Sequence, residues 1–196
     1  MNFFLSLYHK DFNMEQNIIR KDMWNIAAKA GLALGLTSTA YMFATQLISG
    51  ASGFIISIFG FILWAAKFSG CIMLMKFFMG NFAEAHPEVT NRDTFNFGKA
   101  AAILSALVYA AASFANVAFI SGDAMAEQIH MAMQQMSSMM DSNTMAIMEK
   151  YIDYLPEYTF FTTLLYCFVF GAVLSLILSR NIPSRDPFAD YKPDQQ

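Results

Sequence analysis

Residues 54–78 read FIISIFGFILWAAKFSGCIMLMKFF. Before Lys76 the run carries one charge, Lys67. A helix rises about 1.5 Å per residue, so a run of this length crosses roughly 30 Å of hydrocarbon. A bilayer offers the backbone no water, and a helix satisfies each N–H and C=O within its own segment. The stretch therefore reads as a transmembrane helix with a lysine near its middle.

Three further runs have the same character: WNIAAKAGLALGLTSTAYMFATQLI at 24–48, FGKAAAILSALVYAAASFANVAFI at 97–120, and YTFFTTLLYCFVFGAVLSLILSR at 158–180. Across all 196 residues, 56% are hydrophobic and 14% charged. Soluble domains carry nearer a quarter charged residues. The expected fold is an all-α integral membrane protein with four transmembrane helices. An external amphipathic helical segment, 121–157, separates the third and fourth. SGASG at 49–53 reads as a tight turn between the first two. Residues 1–23 read as a cytoplasmic N-terminal segment, 24–180 as the membrane domain, and 181–196, polar and Pro-rich, as a disordered cytoplasmic tail. MNFFLSLYHK lacks the basic lead and small-residue cleavage site of a signal peptide. Met14 opens an alternative start, MEQNIIRKDMW.

The basic residues set the expected orientation. Of twelve Lys and Arg, ten flank one side: Lys10, Arg20, Lys21, Lys29, Lys76, Arg92, Lys99, Arg180, Arg185 and Lys192. Lys150 alone falls in the third connection, beside Asp123, Glu127, Asp141, Glu149, Asp153 and Glu157. By the positive-inside rule both termini are cytoplasmic and the third connection faces outward.

Small residues recur every fourth position in two spans. Ala27, Gly31, Gly35 and Thr39 form one row, and Gly98, Ala102, Ala106 and Ala110 another. Lipid tails are as apolar as the helices, so association rests on close backbone approach, which such rows permit. Gly31, Gly35, Ala102 and Ala106 are expected to pack helices within the chain, with a dimer seam as the second reading.

Lys67 lies nine residues before Lys76, roughly 13 Å deep. A lysine there costs about 2.5 kcal/mol or more, and its stem can snorkel toward water. Ser57, Gly60, Trp64, Lys67 and Cys71 share a helix face that should look into the bundle. Polar stripes in the third span (Ser105, Tyr109, Ser113, Asn116) and the fourth (Thr159, Thr162, Thr163, Tyr166) could meet it. The expected intramembrane polar site is Lys67, Ser105, Tyr109, Asn116 and Tyr166; the lysine could be neutral, donate to Tyr109 or Ser105, or bind an anionic headgroup or substrate. No span interior supplies an Asp or Glu. The alternative is a lysine that snorkels to no purpose. Cys71 and Cys167, the two cysteines, sit in apolar runs and read as small buried residues.

Residues 130–140, HMAMQQMSSMM, raise a metal question. Soft thioethers with an imidazole suit Cu(I), and His130, Met131, Met133, Met136 and Met139 are the candidate ligands. However, Met125, Ile129, Met133, Met136 and Met140 also follow helical steps, as do Met145, Met148, Ile152 and Leu155. Two amphipathic helices, capped near Ser142 or Asn143 and ended by Pro156, explain the methionines without a metal. They would lie on the outer leaflet, cover the bundle or meet a protein partner. The chain carries fifteen methionines in all, several inside the spans.

Neither nucleotide-binding glycine loops nor hydrolase signatures occur, and His9, His86 and His130 are scattered. No enzyme activity, cofactor or nucleic-acid partner is expected. The order NIIRKDMW, LMKFF, TFNFGKAAAILSAL, a Met- and acid-rich outer segment and GAVLSLILSRNIP resembles the bacterial four-span membrane family described as domain of unknown function 4199, found mostly in Bacteroidota. The resemblance covers roughly residues 14–184. It implies this topology in a bacterial inner membrane and brings no activity or site residues. The leading functional expectation is an accessory membrane subunit, partnered by the bilayer and by a protein or second copy. Small-solute or ion handling around Lys67 is the alternative, and copper handling the third.

Overall fold

The computed structural model describes residues 2–48, 54–136 and 141–182, with side chains described from residues 20, 58 and 141 onward. The turn expected at 49–53 lies outside these. Among the described residues every regular element is helical. In chain order they are α1 (Asn2–Ile48), α2 (Phe54–Ala85), α3 (Asn91–Asn116), a π-helical turn (Val117–Ser121), α4 (Gly122–Met136), α5 (Ser142–Asp153) and α6 (Leu155–Ser179).

The boundaries differ from the hydropathy reading in instructive ways. No break separates residues 2–23 from the first span, since α1 is one helix of 47 residues. The third span likewise runs into the segment read as external. The helix passes from α3 through the π turn into α4 without interruption. A π turn leaves its last amide close to the carbonyl five residues back. A Cβ on Gly122 would stand 2.5 Å from the Val117 carbonyl oxygen, so a glycine is required there. The cap of α5 is Asp141, rather than Ser142 or Asn143, with its Oδ1 accepting from the Thr144 amide at 2.9 Å. Pro156 occupies the first turn of α6, where its missing N–H costs nothing.

Among the described residues, three helices are long and apolar enough to cross a membrane: 58–85 of α2, the continuous Asn91–Met136 helix, and α6. The stretch 24–48 of α1 is not among them. Its Lys29, Thr37, Ser38, Thr39 and Gln46 dilute the apolar run. Thr37 and Thr39 return their hydroxyls to the carbonyls of Ala33 and Gly35, at 2.8 and 2.9 Å.

α3 is the central helix. It packs along α6 on one side and α1 on another, while α2 rests mainly on α1. Small residues set these approaches. A Cβ at Gly31 would stand 2.6 Å from Leu104 Cβ, and one at Gly35 2.7 Å from Val108 Cβ. On the other side a Cβ at Gly171 would stand 2.6 Å from Ala102 Cβ, and one at Gly98 would collide with Ser175. Ala106 and Ala110 are fully buried. Gly31, Gly35 and Gly171 thus lie against α3 of the same chain, and Gly98 of α3 lies against α6.

The end of the bundle where residues 86–90 join α2 to α3 is closed. Met75, Met79, Phe82, Phe97, Ala101 and Ile182 fill it. Phe82 and Phe97 stack at 4.8 Å between centroids. Thr90 and Asp93 form a capping box that starts α3. The carbonyls left open at the end of α6 bond to the same turn: Asn91 donates to the Arg180 carbonyl (3.1 Å) and Thr94 to that of Ile182 (2.6 Å). Ile182, read from sequence as tail, is therefore part of the core; residues 183–196 lie outside the described ones.

Candidate functional site

The helices leave a gap where α2 and α6 face each other. α2 packs mainly on α1 and α6 on α3, and they touch one another little. A cavity of about 140 Å³ opens there. Leu34 and Ser38 of α1 and Ala102, Ser105 and Tyr109 of α3 supply its floor. Trp64, Lys67 and Cys71 of α2 face Tyr166, Cys167 and Gly171 of α6 across it.

Lys67 is the charged residue of this cavity. Its Nζ lies 4.8 Å from the ring centroid of Tyr41 and 5.1 Å from that of Tyr109. The negative faces of both rings stabilise an ammonium, by roughly 0.5–2 kcal/mol each. Helical spacing places them: Ser38 and Tyr41 are one turn apart on α1, as are Ser105 and Tyr109 on α3. No carboxylate lines the cavity among the described residues. The ammonium is thus held by rings and open to the cavity, without an anionic partner.

The rim is aromatic. Phe61, Trp64 and Phe68 stack in series along α2, at 5.8 and 5.7 Å. Phe68 reaches Phe170 of α6 at 5.6 Å, and Phe170 stacks on Tyr166. This row bridges the gap between the two helices. Trp64 is 51% exposed and Tyr166 71%, so the mouth faces outward through the side of the bundle.

Lys67, Ser105, Tyr109 and Tyr166 of the expected polar site line one cavity. Asn116 does not join them. It lies seven residues past Tyr109, about 10 Å along the helix. Its Nδ2 donates to Ser121 Oγ at 3.0 Å across the π turn, and its Oδ1 is buried without a partner among the described residues. Of the open readings for the lysine, donation to Tyr109 or Ser105 is not what the geometry shows: its Nζ stands over ring faces. Of the α6 stripe, Tyr166 lines the cavity and Thr159, Thr162 and Thr163 do not: Thr162 is exposed and bonds the Tyr158 carbonyl at 2.8 Å. The helix face of Lys67 does include Trp64 and Cys71, but Gly60 has open space around it. Ser57 falls where no side chain is described.

Sequence reasoning missed Tyr41, Ser38 and Cys167. Cys71 and Cys167 are half-buried, both line the cavity and both lie within electrostatic reach of Lys67. Tyr41 is reachable from sequence by stepping Leu34, Ser38, Tyr41 along one face. The signal was hidden because that face also carries the packing row. Ser175, whose hydroxyl donates to the Phe95 carbonyl at 3.0 Å, was likewise overlooked.

The methionine candidates separate. Met133 is buried, whereas His130, Met131 and Met136 are exposed. Met139 lies outside the described residues. No group of three or more His, Cys, Asp or Glu with metal-binding placement occurs among the described residues. α4 buries Met133 alone and α5 buries no residue, so neither forms a tight cover over the bundle.

Comparison with family models, curated proteins and solved structures finds no match for this chain.

Proposed function

We propose that the chain is a non-enzymatic, four-span inner-membrane protein that binds a small anionic ligand at Lys67. Its kinship to the four-span family resembled above is part of this proposal and adds no activity. One observation carries the reading: an ammonium held between two tyrosine rings, facing a ring-sized cavity, with no carboxylate lining it among the described residues. A lysine placed only to snorkel would reach for water, and this one is turned to two rings instead. A cavity near 150 Å³ accommodates a benzene-sized body.

The fourth span in this proposal is the second half of α1. Ala27, Ala30, Leu34 and Ser38 bury against the bundle alongside the three apolar helices. The distribution of Lys and Arg supports a cytoplasmic location for the closed end and both termini. Reporter fusions after Ile48, after His86 and after Asp141 test this; the third alone should report with the first on the external side.

The binding claim is tested by thermal stabilisation of the purified protein in neutral detergent. The probes are benzoate, hexanoate, methyl phosphate and nitrate, with choline as the cationic control. A ligand at a hundred times its Kd adds about 2.7 kcal/mol to the folded state. At least one anion should stabilise wild type and not Lys67→Met. Equal stabilisation of both, or of neither, ends the proposal.

A second reading rests on α5. It has no buried residue, while Ile147 is 62% exposed. As an accessory subunit, the chain would meet its partner through this segment. A stoichiometric partner lost on Ile147→Asp would support it.

A further inference from the structure

We infer that the ligand of the Lys67 cavity is a long-chain carboxylic acid that arrives sideways from the bilayer, between α2 and α6. This rests on the ligand-binding reading above and adds the ligand's class and its route. Three observations converge on it.

The first is where the cavity opens. Toward the end closed by Phe82 and Phe97 the way is blocked by Met75, 1% exposed, and Met79, fully buried. The open side is rimmed by Trp64, Phe68, Tyr166 and Phe170. Around them Phe61, Leu165 and Val169 are all at least half exposed. In a membrane such a rim is wetted by acyl chains, and a water-soluble anion has no polar path along it.

The second is size. The cavity holds a headgroup and a few methylenes, and no more. A longer chain must leave through the mouth, past the Phe68–Phe170 contact, where it meets apolar surface.

The third is the charge and its depth. Lys67 sits mid-span, and only an anion that sheds its charge on the way reaches it cheaply. A carboxylic acid does so by protonation. A phosphodiester stays ionised and holds its phospholipid at the interface. Bound at Lys67 with Ser38 and Ser105 nearby, the carboxylate replaces a lone ammonium by a neutral pair, and one proton is released to water. Loss of that lone charge is the driving force specific to this site.

The test uses the full chain in phosphatidylcholine vesicles with a palmitic acid that carries a photoactivatable diazirine at mid-chain. Peptide mapping should place the adducts on the segments holding Phe68 and Phe170. Labelling should fall at least tenfold in Lys67→Met, and with the methyl ester of the probe. Oleic acid should compete, whereas butyrate from the water phase and phosphatidylglycerol should not. Cys167→Leu, which fills the cavity and keeps the lysine, should also lose labelling; helix content and monodispersity are checked for both variants. Full competition by butyrate, equal labelling by the ester, or competition by phosphatidylglycerol matching that of oleic acid each overturns the inference. Absent labelling overturns it too. If small anions still stabilise the protein through Lys67, only the acyl class and route have failed; if they do not, the binding proposal has failed as well.

Discussion

Lys67 and Tyr109 meet as cation and ring: the Nζ of one stands 5.1 Å from the ring centroid of the other. They come from α2 and α3, which otherwise touch little. The contact ties the side of the bundle that lacks small-residue packing. Tyr109→Leu should therefore destabilise wild type more than it destabilises Lys67→Met. The expected coupling is about 1 kcal/mol, within the range for such pairs. A double-mutant cycle by reversible denaturation in mixed micelles measures it, and additive effects would mean the ring does not hold the ammonium.

The glycines divide into two groups. Gly31→Ala and Gly35→Ala put a Cβ within 3 Å of Leu104 or Val108. Each should cost about 1–3 kcal/mol by forcing α1 off α3. Gly60 and Gly70 have open space around them. Changing those to Ala should be neutral or stabilising by up to about 1 kcal/mol, through helix propensity alone. Thermal denaturation of the four variants side by side decides the matter. Similar losses at all four would contradict the packing described.

Thr94 holds the end of α6 through the Ile182 carbonyl. Thr94→Val keeps the shape and removes the hydroxyl, which leaves a buried carbonyl open. A loss of about 1–3 kcal/mol is expected. Faster amide exchange at Asn181, whose N–H donates to the Leu178 carbonyl at 3.1 Å, should accompany it. Unchanged stability would show that the bond adds nothing to closure of this end.

Asp141 is exposed, and its hydrogen bonds from Thr144 hold its carboxyl below the usual 3.8. A depressed folded pKa means the cap's contribution is present above the unfolded value and lost as pH falls through the folded one. Protection of the Thr144 amide should therefore be constant above pH 5 and fall below about pH 4. Asp141→Asn should remove most of that dependence. A loss of protection centred near neutrality would point to another group.

The sequence made the helices and the lysine legible for different reasons. Lipid allows few backbone states, so α2, the long third helix and α6 follow from apolar length alone. Gly31, Gly35 and Ala102 were readable because close approach needs small residues at a fixed period. Lys67 stood out because a charge is costly there. Its partners were harder. Tyr41 pairs with it through a ring face, which leaves no donor–acceptor pattern in the sequence, and Cys167 reads as any small apolar residue. Asn116 was misplaced because a polar stripe at helical spacing does not say where the helix changes pitch. The π turn that begins at Val117 sends its amide to Ser121 instead.

The Lys67 cleft is proposed to open into the bilayer between α2 and α6. Trp64, on its rim, reports on this once Trp24 is changed to Phe. The variant is placed in vesicles of phosphatidylcholines brominated at successive chain depths, with acrylamide as the aqueous quencher. Strongest quenching by mid-chain bromines, with little by acrylamide, is the expected result. Strong acrylamide quenching with none by any brominated lipid would mean the mouth opens to water, and the account would be wrong.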